Sequence, residues 1–442
     1  MKFILFIIAI IFSQILHSQI VDIPDANFKN ALLNHSPTID LNGDDEIQVS
    51  EAESFTGFLN LYSKNISSLT GIEAFTNITQ LDCSRNYLTY LFLRFNTNLV
   101  HLDCEWNDII DLEISYNTAL ETLNSSNNYL SELNVSNNIE LREIRSSNNL
   151  LTNEWFGNCP LLSYLDISYN QIYDIELRYN PLLSELYCYA NQLTNINTSS
   201  NTNLTIFDCT ENHLTNLDVT NNLQLTRLWF SENQLTNIDV SNNSALIQIS
   251  CAQNNLKSLD LSNNPNLIVL WCHYNELIEL DLSNNPNFTY LWCNNNEFLN
   301  YINLKNGNNQ FFNNSSHLNN LPNLETVCVD DINYQPLIDF ILNQVNHNVT
   351  FTENCELSIN ENNLYNVVSL YPNPTSGLLH ISFKNHEFEK IELFNTIGQL
   401  MISKSILNNE PFINLSDLSD GFYILKLINK SGERQIFNIL KN

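Results

Sequence analysis

The segment LWCHYNELIELDLSNNPN, residues 270–287, reveals an internal repeat, because its opening returns as LWCNNNEF at residues 291–298. Steps of 21 residues from Cys272 reach six further cysteines and, in four other slots, Ser, Ile or Phe. Three residues beyond every one of these ladder slots stands an asparagine, from Asn86 to Asn296. A fixed period of this length is the sequence signature of a solenoid built from stacked coils.

Every coil supplies the same set of apolar residues to the interior. Leu, Ile or Phe fills nearly all positions two before and five after the ladder slot, as Leu270 and Leu277 do. Alternate residues of a strand face opposite sides, so the inward set of each coil stacks on the next. A second asparagine column runs from Asn96 to Asn285, interrupted by Cys159. Amides donate and accept hydrogen bonds, so both columns are expected to satisfy the backbone at the turns.

The segment ISSLTGIEAFTNITQLDCSRN, residues 66–86, resembles a coil of the internalins, which are bacterial leucine-rich repeat proteins. The resemblance covers roughly residues 59–330. It implies a leucine-rich repeat solenoid with 21-residue coils, a parallel β ladder and few helices. The chain departs from the internalin pattern in its shorter coil and in the frequent Cys at a Leu position, and the resemblance says little about the ligand.

The chain begins MKFILFIIAIIFSQILHSQ, in which one Lys precedes a short apolar run and then small or polar residues. This pattern predicts a secretory signal peptide over residues 1–18, because the run is too short for a membrane span and no stop-transfer charges follow. No other segment of the sequence is long and apolar enough to cross a bilayer.

Nine of the ten cysteines fall into two groups, and the tenth, Cys159, stands in the second asparagine column. Seven occupy the ladder slot, where a thiol behaves as a small hydrophobe and stacked side chains point in the same direction instead of toward each other. We therefore expect free, buried thiols along the ladder. Cys328 and Cys355 lie beyond it and flank the helix-like segment QPLIDFILNQVN, so they form the predicted disulfide.

The formal net charge is −30, yet residues 367–442 carry seven basic and seven acidic residues, so the acidity lies upstream of them. An acidic surface repels nucleic acid and anionic lipid, which argues against both as partners. The neutral C-terminal segment shows short alternating strands separated by Gly, Asn-Pro and Asp-Gly turns. This pattern predicts a small β-sandwich.

The same C-terminal segment is similar to the sorting domain of proteins exported by the type IX secretion system of Bacteroidetes. The matching residues are Tyr371, Pro372, Asn373, Pro374, Gly377, Gly398, Gly421, Phe422 and Tyr423. The resemblance implies passage through the outer membrane by the type IX machinery, followed by attachment to the cell surface or release. The predicted domains are a signal peptide (1–18), an N-terminal cap (19–58), the solenoid (59–330), a C-terminal cap and linker (331–366) and the sorting domain (367–442).

The N-terminal cap contains an acidic loop, DLNGDDEIQVSE, residues 40–51. It follows a helix-like segment and has the ligand spacing of an EF-hand loop, with oxygen-bearing side chains at positions 1, 3, 5, 7, 9 and 12. These residues are Asp40, Asn42, Asp44, Glu46, Gln48 and Glu51. Asp45 stands where the turn glycine belongs. Two interpretations stay open, a Ca²⁺ site and a solvated acidic turn that only caps the solenoid.

Motifs for catalysis are missing from the sequence, which contains no H-E-x-x-H, G-x-S-x-G, P-loop or glycine-rich dinucleotide turn. Cys272 and His273 are adjacent on a predicted strand and therefore face opposite sides, so they do not form a nucleophile and base. We therefore predict that the chain is not an enzyme and has no catalytic residues.

Aromatic residues gather in the strand positions that face outward, and most repeat solenoids bind partners on this concave face. Exposed large aromatics are uncommon unless a partner covers them. The candidate binding residues are Tyr187, Tyr189, Trp229, Trp271, His273, Tyr290 and Trp292. The sequence thus predicts a secreted cell-surface protein that binds a protein or a glycan in adhesion or recognition. The alternatives are rings that only stabilise the sheet, a structural surface protein that associates with itself and, least favoured, an enzyme.

Overall fold

The structure is a computed structural model that describes residues 19–155, 159–355, 369–371, 375–382, 388–395, 398–406, 412–429 and 434–441. The first of its two compact units ends at Cys355, and the strands of the second begin at Ser369. The predicted signal peptide lies outside the described residues.

The N-terminal cap contains the two helices α1 (Ala26–Leu33) and α2 (Val49–Ser54). Helix α1 begins at Asp25, whose carboxylate accepts hydrogen bonds from two backbone N–H groups of the first turn. The second carboxylate oxygen of Asp25 accepts the N–H groups of Ser67 and Ser68, at 2.8 and 3.0 Å. One side chain therefore caps the helix and fixes it to the first coil.

The solenoid consists of very short parallel strands. In chain order they are β1 (Gly57–Asn60), β2 (Ile78–Asp82), β3 (Leu91–Phe92), β4 (His101–Asp103), β5 (Leu112–Glu113), β6 (Thr122–Asn124), β7 (Glu143–Arg145), β8 (Asn153–Trp155), β9 (Tyr164–Asp166), β10 (Asp174–Glu176), β11 (Glu185–Tyr187), β12 (Ile206–Asp208), β13 (Arg227–Trp229), β14 (Gln248–Ser250), β15 (Val269–Trp271), β16 (Glu279–Asp281), β17 (Tyr290–Trp292), β18 (Tyr301–Asn303), β19 (Thr326–Cys328) and β20 (Thr350–Thr352). Twelve of them form one sheet in the order β1-β2-β4-β6-β7-β9-β11-β12-β13-β14-β15-β17. The predicted solenoid of 21-residue coils with a parallel ladder is confirmed.

The interior of the solenoid is one continuous apolar core. Leu270 and Leu277 are fully buried, as are the cysteines of the ladder slot. A fully buried Leu contributes about 1.5–3 kcal/mol through removal of apolar surface from water. Burial also raises the pKa of the Cys188 and Cys209 thiols well above the ordinary value. The ladder thiols are free, buried and protonated, and they act as packing groups.

The first asparagine column links each coil to the one before it, as Asn212 illustrates. Its Nδ2 donates to the carbonyl oxygens of Cys188 and Cys209, both at 3.1 Å, and its Oδ1 accepts the N–H of Leu193 at 2.9 Å. Asn233 also donates to the Cys209 oxygen, at 3.0 Å. Each ladder carbonyl from Cys83 to Cys272 is shared in this way between the asparagine of its own coil and that of the next.

The second asparagine column differs in how its amide oxygens are used. Asn243 donates to the carbonyl oxygens of Val219 and Asn222, at 3.0 and 2.9 Å. Its Oδ1 is buried without a hydrogen-bond partner in the described chain, as are the corresponding oxygens of most members of the column. Asn222 is an exception, because its Oδ1 accepts the Thr198 hydroxyl at 2.9 Å.

Every coil from the first ladder slot onward turns through one residue with a left-handed backbone, two positions after the slot. These turn residues have φ between 51° and 58° and are Arg85, Trp106, Asn127, Asn148, Tyr169, Ala190, Glu211, Glu232, Gln253, Tyr274 and Asn295. The next residue is always the ladder asparagine, whose hydrogen bonds hold the turn. The solenoid thus imposes this conformation whatever residue occupies the position.

The repeat changes length near the C-terminal end of the solenoid. Equivalent positions are 21 residues apart in the regular coils. Trp292, however, pairs with His317, which lies 25 residues later, and beside this pair the Leu291 N–H donates to the Ser316 hydroxyl. Strands β16, β18, β19 and β20 then form a separate parallel sheet, and helix α3 (Gln335–Val345) precedes its last strand. A disulfide joins Cys328 to Cys355, with their Cα atoms 5.5 Å apart.

The second unit contains the antiparallel strands β21 (Ser369–Tyr371), β22 (Leu378–Ser382), β23 (Phe388–Asn395), β24 (Leu400–Ser405), β25 (Phe412–Asn414), β26 (Gly421–Asn429) and β27 (Arg434–Lys441). They form two sheets, β21-β22-β25 and β24-β23-β26-β27, around one apolar core, as predicted for a sandwich. At Gly377, a Cβ atom would lie 2.5 Å from Ser416 Oγ, so a larger residue there would require the Ser416 hydroxyl to rotate away. Residues 372–374 lie outside the described residues.

Candidate functional site

The outward side chains of the twelve-stranded sheet form a face, here called the sheet face, with two chemically different ends. Toward its C-terminal end, Trp271 and Trp292 occupy directly paired positions on β15 and β17. Both are half-buried. The outward orientation expected for them from strand alternation is the one observed, with Leu270 and Cys272 fully buried on either side of Trp271.

Four rings surround Trp292, and we call the five residues together the aromatic cluster. The ring centroid of Trp292 lies 5.7 Å from Trp271, 5.6 Å from His273, 6.0 Å from Tyr290 and 4.8 Å from His317. The ring planes are inclined by 33° to 70°, so the cluster has a ridged and not a flat surface. Of these five residues, His317 is the one that sequence reasoning missed.

The other candidate rings are not part of this cluster. Trp229 lies in the same column, but the strand position between it and Trp271 is Ser250. Tyr187 packs against Tyr164 with a centroid distance of 5.5 Å, and Tyr189 packs against Tyr169 at 5.1 Å. The seven predicted residues therefore share the sheet face, but only Trp271, His273, Tyr290 and Trp292 come together.

Three ring nitrogens on this face are buried and have no hydrogen-bond partner in the described chain, Trp229 Nε1, Trp271 Nε1 and His273 Nδ1. Unpaired buried polar groups are rare in native proteins and each costs about 1–3 kcal/mol. Trp292 differs, because its Nε1 donates to the Ser315 carbonyl oxygen at 3.2 Å. Burial, followed by the proximity of His317, lowers the pKa of His273, so this ring is neutral near pH 7.

The N-terminal end of the sheet face is polar and acidic. Asp82, His101, Asp103, Asn124 and Arg145 line a groove of about 340 Å³. Burial of the carboxyl, together with the charges of Glu105 and Asp82, raises the pKa of Asp103 to about 6. The amide of Asn124 donates to Asp103 Oδ2 at 3.2 Å. A ligand that covered the whole face would therefore meet carboxylates at one end and rings at the other.

The acidic loop of the N-terminal cap is organised around Glu51. Its Oε1 accepts the N–H groups of Leu41 and Asn42, at 2.8 and 3.2 Å, and its Oε2 accepts the N–H of Gln48 at 3.0 Å. Asp40 accepts the N–H groups of Gly43 and Asp45, at 2.7 and 3.1 Å.

The remaining predicted Ca²⁺ ligands of this loop bond to one another or to a neighbouring helix. Asn42 Nδ2 and Gln48 Nε2 both donate to Asp44 Oδ2, at 3.0 and 2.9 Å, and Glu46 pairs with Lys29 at 2.6 Å. Asp45, at the glycine position, has the left-handed backbone that the position requires. In the described residues no three His, Cys, Asp or Glu side chains are grouped to hold a metal ion. The Ca²⁺ site stays a prediction.

The adjacent Cys272 and His273 lie on opposite sides of the sheet. Cys272 is fully buried and its thiol pKa is raised well above the ordinary value, so it is not available as a nucleophile. His273 faces outward beside Trp292. These two residues therefore do not form a nucleophile and base pair.

Comparison with known proteins identifies a family for the C-terminal segment and shows the fold of the solenoid. Residues 369–440 match the family model of the secretion system C-terminal sorting domain. This segment is a type IX sorting domain, and it directs the chain to the cell surface or to the outside. No helix in the described part of the chain is long and apolar enough to cross a membrane. No curated protein sequence matches the chain.

The solved structures similar to this chain include two internalins of Listeria monocytogenes. The functional domain of InlJ, which includes a cysteine ladder, is 24% identical with a TM-score of 0.55, over 96% of this chain and 99% of that domain. The internalin InlF is 21% identical with a TM-score of 0.55, over 75% of this chain and 95% of that one. These likenesses show a leucine-rich repeat fold. The ladder cysteines, expected as a departure from internalins, therefore have a counterpart in InlJ.

Proposed function

We propose that this exported leucine-rich repeat protein is an adhesion or recognition protein that binds a protein partner through the sheet face. The observation that carries the proposal is the aromatic cluster, in which half-buried rings lie on a surface that contributes little to the core. Rings of this kind supply much of the binding energy in protein interfaces when a partner buries them.

Two features favour a protein partner over a glycan on this face. The rings are inclined to one another by 33° to 70°, which suits insertion of apolar side chains between them better than stacking on the C–H face of a sugar ring. The acidic groove at the other end of the sheet face, with Asp82 and Asp103, suits lysine and arginine side chains of the same partner. The proposed partner is therefore a protein with an apolar projection next to a basic patch.

The proposal also accounts for the unpaired ring nitrogens. Trp271 Nε1 and His273 Nδ1 have no partner in the described chain, and a small displacement of the rings on binding would let them reach carbonyl or carboxylate oxygens of a partner. An unpaired polar group is tolerated at a binding site because the complex restores the missing hydrogen bond.

The test compares three variants of the full chain in binding to a panel of immobilised surface proteins and glycans. Trp271→Ala is expected to keep the free energy of unfolding and to lose at least about 2 kcal/mol of binding, roughly a thirtyfold weaker Kd. Leu270→Ala is expected to do the opposite and to destabilise the fold by about 2–5 kcal/mol. Tyr179→Ala serves as the matched control, because this ring is 49% exposed and belongs to the second turn of its coil.

Three results would contradict the proposal. If Trp271→Ala weakens binding only as far as it unfolds the protein, the indole is part of the scaffold. If the wild-type chain binds only itself in sedimentation experiments, the sheet face joins copies of this protein. If it binds glycans alone and Trp271→Ala abolishes that binding, the partner class is wrong.

A further inference from the structure

Trp106 occupies a backbone position that does not suit it. It is the left-handed turn residue of its coil, with φ of 53°, and its side chain is 49% exposed. A left-handed backbone disfavours bulky residues and is tolerated well by Asn. The same position in the next two coils holds Asn127 and Asn148. A large ring that is half exposed at this position contributes little to the core.

Two more exposed rings lie beside Trp106. Tyr87 and Tyr129 are 58% and 53% exposed, and they follow the first asparagine column by one residue in the coils before and after. The three rings line one groove of about 360 Å³, here called the turn groove. The Arg85 guanidinium lies over the Trp106 ring, 5.3 Å from its centroid, and restricts the orientation of the indole.

Polar groups with free hydrogen-bonding capacity lie between these rings. Asn148 Nδ2 donates to Asn127 Oδ1 at 2.7 Å. This bond leaves Asn127 Nδ2 as a donor and Asn148 Oδ1 as an acceptor without a partner in the described chain. Both residues line the turn groove, and Asp108 is the charged side chain among the lining residues. The groove therefore offers rings, one donor, one acceptor and a single carboxylate.

We propose that the turn groove is a second binding site, separate from the sheet face, and that it takes a neutral polysaccharide. A sugar ring has an apolar C–H face that packs on aromatic rings, and its hydroxyls both donate to carboxylate and amide oxygens and accept from amide N–H groups. Successive coils repeat about every 4.8 Å, so an extended sugar chain would meet a ring or an amide at each step. The net charge of −30 opposes an anionic polysaccharide.

The experiment is native gel electrophoresis of the full chain in gels that contain a soluble polysaccharide. The strongly acidic protein migrates toward the anode, so binding to a neutral β-glucan, mannan or xylan is read as retardation. We expect retardation by at least one neutral polymer and none by hyaluronate or polygalacturonate. Trp106→Ala should weaken the binding about tenfold or more, since it removes the central ring.

Trp106→Asn separates function from folding. Asn suits the left-handed backbone, so this variant should melt at the same temperature as the wild-type chain or higher, while the retardation is lost. Tyr169→Ala is the matched control, because Tyr169 is a turn residue with φ of 51° and 55% exposure outside the turn groove. It should be retarded like the wild-type chain.

Three results would overturn the assignment. The first is a wild-type chain that no neutral polysaccharide retards, and the second is retardation by acidic polymers to the same extent. The third is retardation that survives Trp106→Ala and disappears in Trp271→Ala, which would move the glycan to the sheet face. Loss of protein binding in Trp271→Ala with unchanged retardation would support both sites independently.

Discussion

The shared carbonyls of the first asparagine column predict an energetic coupling between neighbouring coils. The Cys209 oxygen accepts one hydrogen bond from Asn212 at 3.1 Å and one from Asn233 at 3.0 Å. Asn212→Ala or Asn233→Ala alone leaves that oxygen with one partner. In the double variant the Cys209 oxygen stays buried and loses both of these hydrogen bonds.

The magnitudes follow from counting the groups that lose their partners. Asn212→Ala leaves the buried N–H of Leu193 unpaired, and Asn233→Ala does the same to Leu214. Each orphaned N–H costs about 1–3 kcal/mol, and each lost amide hydrogen bond adds roughly 0.5–1.5 kcal/mol. The double variant also orphans the Cys209 oxygen, so its loss of stability should exceed the sum of the single losses by about 1–3 kcal/mol.

Urea unfolding of the full chain, followed by tryptophan fluorescence, measures this cycle. The matched control pairs Asn212→Ala with Asn254→Ala, because Asn254 bonds to Phe230, Cys251 and Ala252 and shares no carbonyl with Asn212. These two changes should add to within about 0.5 kcal/mol. If the coupling in the Asn212 and Asn233 pair is no larger than in the control, the Cys209 oxygen does not couple the two coils, because it has found water or another donor in the double variant.

Three further predictions concern other parts of the chain. Val219→Thr gives the unpaired Asn243 oxygen a hydroxyl donor, as Thr198 does for Asn222. The free energy of unfolding in urea titration should therefore change by less than about 1 kcal/mol. A loss of about 1–3 kcal/mol would mean that the new hydroxyl is buried without a partner. The folded-state pKa of Asp103 is raised to about 6, above the unfolded value of 3.8, so the wild-type chain loses stability as the pH rises between these values. Relative to the wild type, Asp103→Asn should therefore be more stable at pH 7 than at pH 4 in urea titrations. A stability difference that is the same at both pH values would contradict this. If the acidic loop binds Ca²⁺, the ion should raise the melting temperature, and Asp40→Ala combined with Glu51→Ala should abolish the rise; melting that ignores a chelator would reject the site.

The solenoid could be predicted from the sequence because the same residue types recur every 21 residues, and each type has the same structural role in every coil. A buried amide at a turn has few substitutes, so the asparagine column stays in register even where the ladder slot changes from Cys to Ser, Ile or Phe. Which atoms the amides satisfy was beyond the sequence. The shared Cys209 oxygen and the unpaired Asn243 oxygen both depend on the distance between coils, and the period does not contain that distance.

The candidate site was predictable only as far as the period extends. Trp271 and Trp292 are one period apart, so strand alternation alone placed them on one face. His317 was missed because it follows the longer coil and pairs with Trp292 out of step with the repeat. Trp106 was passed over for a different reason. Its position in the coil is visible in the sequence, but the left-handed backbone beneath it is a property of the stacked turns.

The uniform coil has a consequence for how such a gene changes. Because every regular coil offers the same backbone carbonyls and the same asparagine amides to its neighbours, in-frame duplication or loss of one whole coil would let the asparagine columns form the same hydrogen bonds across the new junction. Where the coil lies between the acidic groove and the aromatic cluster, such a change alters the distance between them. Descendants of this gene would then differ in the span of partner that they fit.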